Sequence, residues 1–423
     1  MNTKNVSGIF LIVRKSLTQH KLSTVVTVLS LALAAGLVMS VFSIRNETYD
    51  AFTGGPVGFD AVLGARGSQL QLVLNTVFHL ETSPGNIPWE MYQAVKRNPN
   101  VVLAVPYAVG DNYRGFRIVG TDGQLFTDLE YRKGDKFKVL PGGRFFDPHK
   151  REAVVGSYAA DKTGLKAGSK FNPFHGLVFD ERSRHAEEYT VVGVLEPTNT
   201  PSDRVIWIPI DEFYRVSGHV LRGGGETYEP SAGEEIPDEH KEVSAVMLKL
   251  KNPQSGFLLD QTINRQGKAA TLAWPIGRVM AELFGKIGWV NNILTLVAYL
   301  VVVVAAGSIL ASIYNTMNER KREFAILRAL GARRRTVFAA IVLESAAIAA
   351  IGTITGYLVY AAIMSAAAVI VRDQTGVALD VLRFEWVLVI TPIVMILLGA
   401  LAGVIPAVKA YSTDVATNLA PMS

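Results

Sequence analysis

Four long apolar stretches constrain the fold of this chain more than any other feature of its sequence. They cover residues 22–44, 289–314, 338–371 and 386–408, and each reaches the roughly 20 residues that a helix needs to cross a bilayer. Hydrophobic residues make up 49% of the chain and charged residues 19%, so it is too polar to lie in the membrane throughout. The sequence therefore predicts four transmembrane helices joined to a water-exposed part.

The water-exposed part is residues 45–288, which have the composition of a soluble domain. Residues 60–98 show the apolar spacing of helices. Short runs rich in β-branched residues predict strands at 101–109, 116–119, 153–155, 189–195 and 205–209. The predicted fold class is a membrane α-helical protein with four transmembrane helices and an α+β extracytoplasmic domain inserted between helices 1 and 2.

The distribution of positive charge predicts the orientation in the membrane. Lysine and arginine precede the first span, and residues 319–335 carry seven Lys or Arg beside two Glu. Short cytoplasmic segments are enriched in Lys and Arg, so both termini and this segment are predicted to be cytoplasmic. The net charge of +5 is explained by these topology-setting residues and their contact with membrane lipids, and no nucleic-acid partner is expected.

The predicted segments follow from these boundaries. They are, in order, a cytoplasmic interfacial helix (1–21), the first span (22–44), the inserted domain (45–288), the second span (289–314), a cytoplasmic loop (315–337), the third span (338–371), a short outer loop (372–385), the fourth span (386–408) and a cytoplasmic tail (409–423). For residues 8–20, a helix in the cytoplasmic interface and a simple extension of the first span are both compatible with the pattern of apolar and cationic residues.

Two parts of the sequence resemble a known family. Residues 319–335, ERKREFAILRALGARRR, are similar to the signature loop of FtsX-like permeases of ABC transporters, although Phe324 and Ala325 stand where Ile-Gly is common. Residues 154–169, VVGSYAADKTGLKAGS, resemble the periplasmic core domain of the MacB and LolC/LolE permeases. The resemblance implies a MacB-like, type VII fold, a bacterial inner-membrane location and a homodimer working with two copies of a cytoplasmic ATPase. The resemblance leaves open whether a periplasmic partner protein also binds.

The basic segment is the predicted contact with that ATPase. Phe324, Ile326, Leu327 and Leu330 form an apolar stripe suited to a partner's groove, and Gly331 permits a turn back to the membrane. The charged members of the predicted coupling site are Glu319, Arg320, Arg322, Glu323 and Arg328. From composition alone these charges serve equally well to set topology; the resemblance favours coupling.

No catalytic motif is found in the sequence. It contains no G-x-x-x-x-G-K-[ST], G-x-S-x-G or H-E-x-x-H. The chain is therefore predicted not to be an enzyme and to carry no cofactor, with ATP and Mg bound by the partner. The resemblance implies export or extraction of a lipophilic or peptide-like substrate through mechanical transmission. Alternatives are a non-transporting signal transmitter of the cell-division type and a transporter linked to zinc handling.

Glycine pairs and a carboxylate mark the third and fourth spans. Gly352 with Gly356 and Gly399 with Gly403 have the small-xxx-small spacing of close helix packing, although glycine is also common in apolar spans. Glu344 lies near the start of the third span, where a structural role at the interface is favoured over proton transfer.

Histidines in the inserted domain are the remaining candidate site. His175 and His185 flank a segment rich in acidic residues, and His219 follows. With no cysteine in the chain, imidazole and carboxylate are the natural ligands for a divalent metal. The competing interpretations are ordinary hydrogen-bonded or exposed histidines, and a hairpin that contacts a partner or a hydrophobic cargo.

Overall fold

The structure is a computed structural model that describes residues 3–19, 21–54, 58–176, 179–216, 236–319, 321–329 and 331–412. It divides into two compact units. The helical unit comprises Met1–Glu47, Ile287–Ala368 and Asp380–Ser423, and the domain unit comprises Thr48–Lys286 and Val369–Leu379.

The described residues contain helices distributed over both units. They are α1 (Thr3–Gln19), α2 (Lys21–Thr53), α3 (Gln69–Thr76), α4 (Trp89–Lys96), α5 (Gln124–Thr127), α6 (Ser157–Thr163), α7 (Ile210–Tyr214), α8 (Pro253–Asp260), α9 (Ile276–Lys286), α10 (Gly288–Glu319), α11 (Lys321–Ala329), α12 (Arg334–Thr375) and α13 (Val387–Ser412).

The strands all belong to the domain unit. They are β1 (Ala61–Ala65), β2 (Ile87–Pro88), β3 (Val101–Tyr113), β4 (Phe116–Thr121), β5 (Glu130–Arg132), β6 (Asp135–Lys136), β7 (Glu152–Val155), β8 (Lys170–Phe171), β9 (Phe174–His175), β10 (Tyr189–Val194), β11 (Ile206–Pro209), β12 (Glu242–Val243), β13 (Ala245–Leu250) and β14 (Ala270–Ala273).

Among the described residues, four helices, namely α2, α10, α12 and α13, are long and apolar enough to cross a membrane. Each coincides with one predicted span, but the helices are longer than the apolar stretches: α10 reaches Glu319 and α12 contains 42 residues. This difference arises because the bilayer fixes the length of the apolar part and leaves the polar ends free to continue as helix.

The spans differ in how much of their surface is covered within this chain. Half of the apolar window of α2 and of α12 is buried, compared with 17% for α10 and 22% for α13. Large apolar side chains such as Leu296, Val303 and Leu397 are more than half exposed. The helical unit is therefore built around α2 and α12, and α10 and α13 present apolar surface suited to lipid or to another membrane helix.

The domain unit is organised around a ten-stranded mixed sheet. Its order is β14-β1-β13-β3-β4-β11-β7-β10-β8, with β9 added to β3. The pairs β4–β11 and β7–β10 are parallel, and the other pairs are antiparallel. All the strands predicted from the sequence fall on β3, β4, β7, β10 and β11, so the α+β assignment is confirmed.

The helices predicted within residues 60–98 are confirmed as α3 and α4, but the same segment also contains the strands β1 and β2, which were not predicted. Strand β1 lies between β13 and β14. Its sequence AVLGA is a short, uniformly apolar run that is buried along nearly its whole length. Such a run lacks the alternation that identifies a strand with one exposed face.

Both faces of the sheet are buried. Side chains alternate along each strand between two apolar clusters: Leu63 and Ile206 lie in one, and Val62 and Trp207 lie in the other. Successive side chains of a strand point to opposite faces, so this alternation defines two cores, one on each side of the sheet.

The burial of His79 beside Trp207 predicts that acid destabilises the domain. The ring of His79 is 6.2 Å from that of Trp207 in a T-shaped arrangement. Burial, with the positive charges of Arg117 and Arg204, lowers the pKa of His79 to about 3. Between this value and an unfolded pKa near ~6.5, the unfolded chain binds the extra proton, so stability falls as pH falls through that window. We expect this histidine to remove about 2 kcal/mol between pH 7.5 and pH 5.

Thermal unfolding of the full chain in detergent across this pH range tests the expectation. His79→Asn removes the titrating group with a residue that tolerates the positive φ of 56° found there. It should flatten the pH dependence of the melting temperature, whereas the same change at the exposed His149 should not. Equal pH dependence in wild type and His79→Asn would contradict the assignment.

Candidate functional site

A short helix, α11, connects the second and third spans. Its last turn ends in a Schellman arrangement in which the Gly331 N–H donates to the Arg328 carbonyl and the Ala332 N–H donates to the Leu327 carbonyl, both at 3.0 Å. Gly331 has a φ of 97°, which side-chain-bearing residues rarely adopt. The glycine that the sequence placed at this turn therefore ends α11 and directs the chain into α12.

The predicted apolar stripe of α11 divides between two roles. Ala325 is buried, and Leu327 packs against the core of the helical unit. Ile326 is 44% exposed. Of the predicted stripe residues whose side chains the structure describes, Ile326 is exposed and Leu327 contributes to the packing of this chain.

The charged residues around α11 are only partly described. Glu323 Oε1 accepts a hydrogen bond of 3.4 Å from Gln19 Nε2 of α1, and Arg328 is half-buried. Arg333, Arg334 and Arg335 are exposed and form a basic surface where α12 begins. Arg320 and Leu330 lie outside the described residues, as do the side chains of Glu319, Arg322 and Phe324.

The N-terminal helix α1 packs along the start of the third span. Residue 20, between α1 and α2, lies outside the described residues, so the choice between an interfacial helix and an extension of the first span stays a prediction. Its Ile9 and Val13 cluster with Ala340 of α12. The buried Ser16 hydroxyl donates a hydrogen bond to the Glu344 carboxylate, which is 7% exposed. Glu344 therefore fastens α12 to α1.

The first predicted glycine pair lies where α12 meets α2. A Cβ added at Gly352 would come within 2.6 Å of Leu31 Cβ, and one at Gly356 within 3.0 Å of Ala35 Cβ. From the opposite helix, a Cβ at Gly36 would meet Val359 Cβ at 2.6 Å. The backbones approach so closely here that no larger residue fits without movement.

The second glycine pair lies where α13 meets α12. A Cβ at Gly399 would collide with Ala349 Cβ, and one at Gly403 would collide with the Ser345 hydroxyl. By contrast, a Cβ at Gly307 of α10 would meet nothing within 4 Å. The glycines of the spans are thus not equivalent, and the sequence alone does not separate them.

In the domain unit the structure brings two of the predicted histidines together. His175 Nδ1 and His185 Nε2 each lie 3.4 Å from Asp111 Oδ1. His219 lies outside the described residues. Asp111 was not identified from the sequence, because it is far from the histidines along the chain and reaches them through the pairing of β3 with β9.

A second polar cluster, also missed from the sequence, holds residues 369–379 in the domain unit. The Tyr158 hydroxyl donates a hydrogen bond to Asp373, and Lys162 Nζ lies 3.5 Å from the same carboxylate. The guanidinium groups of Arg204 and Arg372 lie 5.7 Å and 5.6 Å from the centre of the Tyr158 ring. The C-terminal end of α12 is therefore bound to α6 through hydrogen bonds, an ion pair and cation–π contacts.

These features define a multi-pass membrane protein with a large domain inserted after its first span. Residues 24–262 match the MacB-like periplasmic core domain, and residues 295–415 match the C-terminal domain of FtsX-like permeases. The first match alone spans more than half of the chain. The chain belongs to the FtsX/MacB-type permeases, a family of membrane components of ABC transporters.

Two solved structures are similar to about half of this chain. The extracellular domain of the noncanonical ABC-type transporter YknZ from Gram-positive bacteria is 16% identical, covers 50% of this chain and 99% of its own, and has a TM-score of 0.28. The periplasmic region of MacB from Actinobacillus actinomycetemcomitans is 9% identical, covers 54% and 94%, and has a TM-score of 0.34. No curated protein matches the sequence.

Proposed function

We propose that this chain is a permease subunit that converts ATP hydrolysis by a separate cytoplasmic ATPase into a conformational change of its inserted domain. The observation that carries the proposal is the continuity of α12. This helix begins directly after α11 and has 42 residues, a length of about 60 Å. Its first part belongs to the helical unit and its last residues belong to the domain unit.

Contacts at both ends of α12 support transmission of force along it. Near its start, Glu344 and Ala340 are bonded and packed to α1. At its other end, Asp373 is bound by Tyr158 and Lys162, and Val377 just beyond the helix is buried in one core of the domain. A shift of α11 driven by the ATPase would move α12, and α12 is attached to the domain that responds.

The composition of the spans supports the proposed class of cargo. The apolar windows of α2, α10, α12 and α13 are strongly apolar, and Glu344 is engaged with Ser16. Such spans do not offer a charged path through the bilayer. We therefore propose that the domain exports or extracts a lipophilic or peptide-like substrate on the outer side, and that the helices transmit force.

The proposed assembly is a homodimer with two copies of the ATPase, which bind ATP and Mg. The exposed apolar surfaces of α10 and α13 suit a second copy of the chain as well as lipid. Both termini and α11 face the cytoplasm of a bacterial inner membrane in this arrangement, and the domain unit lies outside.

Accessibility of single cysteines tests both the orientation and the ATPase contact, because the chain contains no cysteine of its own. Ile326→Cys and Asp161→Cys place the probe at exposed positions of α11 and α6. In inside-out vesicles an impermeant maleimide should label Ile326→Cys and spare Asp161→Cys, and bound ATPase should slow the labelling of Ile326→Cys. Labelling of Asp161→Cys alone would overturn the orientation. If the labelling rate of Ile326→Cys is the same with and without bound ATPase, the proposed contact is wrong.

A further inference from the structure

The strongest unassigned cluster of the domain unit is formed by one carboxylate and two imidazoles. Asp111 and His175 are register partners in the antiparallel pair β3–β9, so their side chains stand on the same face of the sheet. His185 returns to the same place from the following segment, and its ring centre lies 5.6 Å from that of His175. One potential ligand atom from each residue lies within 4.8 Å of the other two.

The distances within the cluster match those between two ligands of one metal ion. Asp111 Oδ1 is 3.4 Å from His175 Nδ1 and 3.4 Å from His185 Nε2. Nitrogen-to-oxygen hydrogen bonds are usually about 2.7–3.2 Å long. A tetrahedral ion with bonds of about 2.0–2.1 Å separates its ligand atoms by about 3.3–3.4 Å. The two measured separations therefore match two edges of such a coordination shell.

The backbone around the cluster holds the ligands in place. The β3–β4 pairing shifts register between Val109 and Asp111, and such bulges turn side chains towards sites. Asn112 Nδ2 donates to the carbonyls of Phe174 (3.3 Å) and Gly176 (2.9 Å). The His185 N–H donates to the Pro173 carbonyl at 2.9 Å. The segments carrying all three side chains are thus tied to one another before any ion binds.

Burial and chemistry indicate which ion would bind. The Asp111 side chain is fully buried and that of His185 is 9% exposed, while the His175 side chain is 57% exposed. A cation would neutralise the charge of the buried carboxylate. Two imidazoles with one carboxylate suit zinc and neighbouring divalent transition metals more than magnesium or calcium, which prefer oxygen ligands.

We propose that Asp111, His175 and His185 bind one divalent transition-metal ion of the zinc type. Three protein ligands leave a fourth position for water or for a donor atom of another molecule, reached from the exposed side of His175. The ion joins β3 to the segment that carries both histidines. Two acidic residues of the same segment have other contacts: Asp180 caps the short turn that follows it, and Glu188 pairs with Lys170 at 2.6 Å.

Calorimetric titration with Zn²⁺ tests the proposal. The full chain is purified in detergent without a polyhistidine tag, stripped with a chelator and titrated with the metal alone. We expect one Zn²⁺ per chain in wild type, at least tenfold weaker binding in Asp111→Asn and His175→Gln, and no specific binding in the double variant His175→Ala/His185→Ala. His149→Ala, which removes an exposed histidine of the same domain, should bind as wild type does.

The outcomes separate the metal site from a purely structural cluster. His175→Gln changes a mostly exposed side chain, so lost binding in this variant with an unchanged melting temperature of the stripped chain would support direct ligation. Zn²⁺ should also raise the melting temperature of wild type and leave that of the double variant unchanged. No binding by wild type, equal binding by the double variant, or an equal loss in His149→Ala would overturn the proposal.

Cobalt provides an independent measurement of geometry. Co²⁺ bound at the site should show the visible absorption bands of a tetrahedral ion, and these bands should be absent from the double variant. An octahedral spectrum at one equivalent would overturn the tetrahedral assignment.

Discussion

Replacing Ile326 by aspartate should abolish coupling to the ATPase while leaving the chain folded. Ile326 is 44% exposed on α11, so the new carboxylate remains hydrated in the isolated chain. In the complex it would be buried in an apolar groove without a partner, which we expect to cost ~3 kcal/mol or more. Such a loss weakens binding more than a hundredfold. Co-purification of the ATPase and its stimulated hydrolysis are the quantities to measure.

Two neighbouring variants make this result interpretable. Ile326→Leu preserves the apolar contact and should retain coupling. Leu327→Asp should also remove coupling, but with a lower melting temperature of the chain itself, because Leu327 packs in the helical unit. If Ile326→Asp still co-purifies with the ATPase and supports normal hydrolysis, α11 does not couple through this residue.

Ile326 and Leu327 are neighbours on a short amphipathic helix, but the sequence does not predict which of the two is buried within the chain. The spacing predicts an apolar stripe, and both residues belong to it. Whether an apolar side chain faces its own chain or a partner depends on how α11 packs against distant helices, and that packing is not encoded in local spacing. The structure separates the two residues by their exposure.

In the domain unit, too, local sequence patterns predict individual strands but not the contacts between residues distant in the chain. Strands such as β4 and β11 were predictable because their apolar, β-branched residues lie between Gly and Pro. The contact between Asp111 and His175 could not be predicted from the sequence. It depends on the register of two strands distant in the chain and on a bulge beside Asp111. A residue pattern identified the histidines, but only the fold identifies their carboxylate.

The glycines of the spans allow a matched pair of variants with opposite expected outcomes. At Gly399 even a methyl group would collide with Ala349, and the Ser345 carbonyl lies 3.3 Å from the added Cβ. Gly399→Leu should therefore force α12 and α13 apart and destabilise the helical unit by about 3 kcal/mol. Gly307→Leu adds the same side chain to α10 where nothing lies within 4 Å. It should be neutral or stabilise the helix by up to about 1 kcal/mol.

Unfolding of the two variants in the same detergent measures this difference directly. A lower melting temperature for Gly399→Leu with an unchanged or higher one for Gly307→Leu is the expected result. Gly399→Ala should fall between wild type and Gly399→Leu, because one methyl group already meets Ala349. If both leucine variants lose the same stability, the effect comes from glycine replacement in a membrane helix in general. The close approach of α12 and α13 would then not explain why the fourth span carries Gly399.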